Sequence, residues 1–250
     1  MTIRTLACLA AFVSIAATAA AQGTNRPDPS RKWEITDNSF LVEEAFNQEP
    51  GVVQNIFTWM RSRDGGWAAN FTQEWPAPAM THQLSYTLAY ASINGTRGIG
   101  DTLINYRFQL RTEAPGRPAI SPRLSVILPT GRESAGLGAG SAGLQVNVPA
   151  SKQFGDFYLH VNGGYTWVPD SQQTPTVAAS GIWRVAPMLN LMLEGVIALD
   201  ESATLSPGVR GGWNFGDTQL VVGLAAPLTR ADGRWTPALL AYLSYELPFR

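Results

Sequence analysis

Two histidines are the natural start of a search for nucleophilic chemistry in this chain. On a β-strand, a serine two residues from a histidine shares its face and lies within the hydrogen-bond reach that an activated nucleophile needs. His82 is followed by Gln83, Leu84 and Ser85, and His160 by Val161 and Asn162, so neither has that spacing. No set of His, Cys, Asp and Glu has metal-ligand spacing. The stretch PTGRESAGLGAGS (129–141) is glycine-rich but lacks the Gly-Lys-Ser/Thr ending of a phosphate cradle. The sequence predicts no catalytic residue, no metal and no cofactor. Residues 129–141 read as a flexible loop, able to fold back as a constriction.

The remaining chemistry is charge, and its placement is regular. In DTLINYRFQLRTE (101–113), Ile104, Tyr106, Phe108 and Leu110 lie on one parity, while Leu103, Asn105, Arg107, Gln109 and Arg111 lie on the other. Successive side chains of a strand point to opposite faces, so this segment has one wholly apolar face. Arg123, Arg184, Arg210, Glu74, Glu194, Glu246 and His160 likewise sit opposite the apolar positions of their own segments. Such charges either line a pore and bias which solutes pass, or pair as an Arg–Glu network that braces a narrow lumen.

Twelve segments must position them: 53–61, 67–75, 81–91, 101–113, 119–128, 142–148, 157–168, 177–186, 188–199, 204–215, 218–228 and 236–249. The ninth also fits a helical stripe through Met188, Leu189, Met192, Leu193, Val196 and Ile197. Segments of about ten residues with dyad alternation predict an all-β fold, a transmembrane antiparallel up-and-down β-barrel with lipid outside and polar groups inside. An even count puts both termini at the periplasmic end. The turns there are expected at 76–80, 114–118, 152–156, Pro187 and 216–217. The connections 129–141, 169–176 and 229–235 are expected at the outer end. Trp75, Phe157, Trp213, Phe215 and Phe249 then fall near the periplasmic ends of their strands, and Trp59, Trp67, Tyr90 and Trp167 near the outer ends. All nine share the outward parity, as membrane girdles require. A twelve-strand barrel lies between filled eight-strand and open sixteen-strand barrels, so size alone does not decide whether the lumen is open.

Residues 1–21 read as a cleaved signal peptide, with Arg4, an apolar run over 6–17 and Ala19-Ala20-Ala21 before the cut. The run is too short for a spanning helix, which needs about 20 apolar residues. Cleavage removes Cys8 and Arg4, leaving no cysteine and 17 basic against 19 acidic residues. That balance gives no basic footprint for nucleic acid. Charged residues make up 15% of the chain, against about 25% in soluble domains. Residues 22–52 form a lead-in before a barrel over 53–250. Within it, Glu34, Asp37, Glu43, Glu44 and Glu49 alternate with Phe40, Leu41 and Phe46. This stretch reads as a short helical turn, a periplasmic lead-in or a small plug.

Leu243, Tyr245, Leu247 and Phe249 resemble the C-terminal signal read by the barrel-assembly machinery of Gram-negative outer membranes, here followed by Arg250. More narrowly, SFLVEEAFNQEPGVVQNI (39–56), GDTLINYRFQL (100–110) and LPTGRESAGLGAGSAGLQVNVPASK (128–152) resemble the outer-membrane transporter family labelled MetA-pathway phenol degradation. That resemblance implies a barrel and passage of small, largely aromatic molecules, and it carries no catalytic residues. The inward charges instead favour a hydrophilic or anionic solute. The expectation is therefore an outer-membrane channel or facilitator for small solutes. Its partners would be outer-membrane lipid and the assembly machinery, with no nucleic acid. The alternative is a closed structural or adhesive barrel that works through its outer loops.

Overall fold

The computed structural model describes residues 34–249, apart from positions 36, 78, 170, 172 and 217. The signal segment, the stretch 22–33 and Arg250 lie outside the described residues. Twelve antiparallel strands form one sheet: β1 (Val52–Ser62), β2 (Trp67–Pro76), β3 (His82–Ile93), β4 (Thr96–Ile99 with Thr102–Phe108), β5 (Ala119–Ile120 with Arg123–Leu128), β6 (Gly143–Phe154), β7 (Phe157–Trp167), β8 (Thr174–Ala186), β9 (Leu189–Ala198), β10 (Ser202–Phe215), β11 (Thr218–Ala225 with Leu228–Ala231) and β12 (Arg234–Pro248). The sheet closes where β1 pairs with β12, from Val52↔Pro248 to Ser62↔Ala238. Closure leaves no unpaired edge, which a sheet in hydrocarbon cannot tolerate.

The alternation works as the parity predicts. On β9, Leu191 and Leu193 are 46% and 52% exposed on the outer face, while Asn190 and Glu194 are buried inside. The expected aromatic residues fall at the two ends of the strands. Trp67 and Tyr90 stack 5.7 Å apart at the end away from the chain termini, and Phe157, Trp213, Phe215 and Phe249 are exposed at the other. Trp59, Trp75 and Trp167 are partly or well exposed on the same outer face. Two more rings join them, Trp183 at the terminal end and Trp235 at the opposite one.

Some strand limits differ from the sequence expectation. The fourth strand starts earlier, at Thr96, after a two-residue turn in which Asn94 and Gly95 have φ of 50° and 81°. Both central residues of a type I′ hairpin turn need positive φ, which is why Asn-Gly serves there. The alternation carries the same strand to 113, but regular pairing stops at Phe108, leaving only isolated bridges at Arg111↔Ile120 and Ala114↔Arg117. The connection expected over 229–235 is mostly strand, reduced to a turn at Asp232–Gly233. β5 breaks at Pro122 and β11 at Pro227, because proline offers the ladder no N–H. The ninth segment is a strand, not a helix: Leu189, Leu191, Leu193 and Ile197 alternate outward with the buried Asn190, Met192, Glu194 and Val196.

Candidate functional site: the barrel lumen

The described residues of 34–49 lie inside the barrel and are neither helix nor strand. Asn38, Ser39, Phe40, Val42, Glu43, Ala45 and Asn47 are fully buried. The segment begins at the terminal end, where the Glu34 carbonyl accepts from Gln219 and its carboxylate pairs with Arg184. It rises to mid-barrel, where Ser39 Oγ donates to Ser180 Oγ at 2.7 Å. It then crosses to the opposite wall and returns through Asn47, whose side chain donates to the Met80 carbonyl.

Two different inner walls meet it. On β1, β8, β9, β11 and β12, the inward side chains Ile56, Ile182, Met192, Val221, Leu240 and Tyr242 form one apolar cluster with Ile35, Phe40, Leu41 and Val42 of the segment. Phe40 packs against Tyr242 with tilted rings, their centroids 4.9 Å apart. It fits because β10 and β11 present Gly208 and Gly223: a Cβ on Gly208 would sit 3.0 Å from the ring, and one on Gly223 would collide with it. On β2 to β7 the wall is polar. Thr72 and Thr87 bond across strands at 2.9 Å, as do Asn105 and Ser85 at 3.1 Å and Gln145 and Thr166 at 2.9 Å.

The inward charges act on the segment. Arg107 Nη2 donates to Glu43 Oε2 at 2.8 Å and its Nη1 to the Phe46 carbonyl at 2.8 Å. Arg123 donates to Glu43 Oε1 through Nη2 at 2.7 Å and through Nε at 2.9 Å. Arg210 donates to the Asp37 carbonyl at 2.6 Å, and to that of Asn38. Glu194 accepts the Leu41 and Val42 amides at 2.8 and 3.1 Å. Arg184 lies near the terminal rim, between Glu34 and Asp156. Glu74 accepts from Gln83, and Glu246 accepts the Gln219 amide. Arg111 departs from the lumen-facing set: past the end of regular pairing, it is exposed. Burial pushes the Glu43 carboxyl up, but Arg123 and Arg107 outweigh it and hold it below its ordinary range. Burial raises its neighbour Glu44 to about 8.

A serine–histidine contact is present that strand spacing could not reveal. Ser151 on β6 stands opposite His160 on β7, with Oγ 2.7 Å from Nδ1, and Glu44 lies 3.7 Å from Nε2. All three are buried, and Ser151 Oγ also accepts the Ala45 amide at 2.7 Å. The pair thus ties the segment to the wall. At the other end of the barrel, residues 129–142 are anchored rather than loose. Asp101 accepts the Gly131 and Ala139 amides at 2.9 and 2.8 Å, and Leu137 packs on Ala68, Ala91 and Ile93.

No protein-family model matches the chain, and no curated protein matches it in sequence. Its fold is that of bacterial outer-membrane barrels. An outer membrane channel from Pseudomonas putida F1 is similar over 81% of this chain and 96% of its own length, at 14% identity and a TM-score of 0.60. The outer membrane protein Omp33 of Acinetobacter baumannii aligns over 79% of this chain and 97% of its own, at 6% identity and a TM-score of 0.41. Closed, and apolar on its outer face, the protein is an outer-membrane barrel whose strands meet lipid.

Proposed function

We propose that the protein is a passive outer-membrane channel for small solutes, closed in this conformation by residues 34–50 acting as a plug. The observation that carries the reading is how the segment is held. Among the described residues it passes from wall to wall and joins no strand, and it is held on both walls through bonds and contacts that involve side chains. Such a segment can leave without opening the sheet. The barrel it vacates would offer a polar wall facing one with an apolar patch among polar groups, suited to a solute with both characters, aromatic or aliphatic with a polar end. The aromatic rings at both strand ends act as headgroup-level girdles, and the assembly machinery reads the last strand. The test is planar-bilayer conductance of the refolded protein against a variant lacking 34–48. The channel reading expects large, discrete steps from the deletion and small or rare ones from the intact chain. Silence from a correctly folded deletion would instead favour a structural barrel that works through its outer loops.

A further inference from the structure

Resting on that channel reading, we propose that Arg107 and Arg123 form a carboxylate-binding site for the transported solute, and that Glu43 occupies it as an internal mimic. The two arginines are direct cross-strand partners on β4 and β5. Like charges facing each other across a sheet repel, so this pairing calls for an anion between them. The Glu43 carboxylate fills that place, with Oε2 on Arg107 and Oε1 on Arg123, the fork geometry of bidentate recognition. The barrel orients Arg123 without help from the plug: Nη1 donates to Asn105 at 3.0 Å and to Ser125, and Nη2 donates to Gln145 at 2.9 Å. When the plug leaves, Arg123 keeps its aim and the pair loses the Glu43 carboxylate, with Glu74 of β2 the barrel charge that still acts on Arg107.

The plug also indicates what else the ligand carries. Phe40 precedes Glu43 by three residues and fills the seat made by Gly208, Gly223 and Tyr242. Three residues place the two Cα atoms at most about 10 Å apart, and the two side chains reach further, towards different walls, so a ligand imitating both ends has a carboxylate and an apolar or aromatic body joined by a spacer. Arylalkanoates belong to that class, and 4-phenylbutyrate is a short probe of it.

The test is chemical rescue. Glu43→Ala removes an acetate-sized group and should raise channel open probability at least tenfold. Acetate at tens of millimolar should return it to the starting level, acetamide and added chloride should not, and Glu43→Ala with Arg123→Met should not respond. 4-Phenylbutyrate should bind the Glu43→Ala protein at least tenfold more tightly than its neutral alcohol, 4-phenylbutanol. Equal effects of acetate and acetamide, or equal binding of the two aryl probes, would overturn the carboxylate site while leaving the channel reading intact. If Glu43→Ala does not fold, Glu43→Gln with the same aryl probes separates the same two outcomes. A Glu43 variant that folds but shows no steps, with a plug deletion that is also silent, would mean that the channel reading itself has failed.

Discussion

The two inner walls of this barrel hold the same segment by different physics. The wall of β2 to β7 does it with charge and directional hydrogen bonds, centred on Glu43 between Arg107 and Arg123. The wall of β8 to β12, with β1, adds a contact of shape, centred on Phe40 against Tyr242 and two glycines, to the hydrogen bonds of Arg210, Glu194 and Ser180. A charge contact is strong only while both partners stay paired and dry, because an orphaned buried charge is very costly. A shape contact loses little when one atom shifts, and it accepts other apolar bodies. The polar wall should therefore set which plug or solute is recognised, and the apolar wall should tolerate variety.

The largest effect should come from breaking the polar wall. Arg123→Met leaves Glu43 buried with half its partners and should cost about 3–5 kcal/mol, read as lost stability to urea or as release of 34–50 to protease. A loss smaller than that of Gly223→Ala would invert the comparison. The next largest effect checks that these walls are inner walls at all. Leu191→Arg on the outer face of β9 should cost about 2–4 kcal/mol of barrel stability, and Asn190→Ala much less. Equal losses would mean that the faces are misassigned. On the apolar wall, Gly223→Ala pushes Phe40 out of its seat and should cost about 1–3 kcal/mol, with a larger open fraction in bilayers.

The smallest effect is in pH. The Glu44 carboxyl, raised by burial to about 8 when docked, would titrate near its ordinary 4.5 when free. A group that binds its proton more tightly when docked favours docking at low pH, so docking weakens as pH rises between those values. Glu43 has the opposite sign. Its lowered value supports docking above the ordinary range and is lost only as pH falls through that lowered value. Open probability should therefore rise from pH 5 to pH 8.5, and Glu44→Gln should shrink the rise. An unchanged rise in that variant would remove Glu44 from the account.

Much of the fold was legible because period-two alternation is local: each strand declares its own inner and outer face, and twelve such segments with short turns imply closure. The limits were harder to read. The Asn94–Gly95 and Asp232–Gly233 turns carry the local signature of tight hairpins, but apolar flanks on one side and glycines and charges on the other hid them. Glu43 and Phe40 stood in a segment visible only as acidic with scattered apolar residues, and their partners lie far away in sequence. Ser151 and His160 meet only because the β6–β7 register places them opposite each other, and no same-strand spacing rule can see that. Parity placed Glu74, Arg107, Arg123, Glu194 and Arg210 at buried positions of their strands, but it could not see that pairing ends before Arg111. That a carboxylate of the segment would bridge Arg107 and Arg123 was not legible, since it depends on where the chain folds back.

The central claim is that residues 34–50 close the channel by sitting in it. Ser39 and Ser180 touch at mid-barrel, and the chain has no cysteine beyond Cys8, so a Ser39→Cys, Ser180→Cys protein can tether the segment by a disulfide. Single-channel recording before and after reduction tests the claim most directly. The account predicts silence when oxidised and the rare discrete steps of the intact chain when reduced. The same conductance in both states would contradict it.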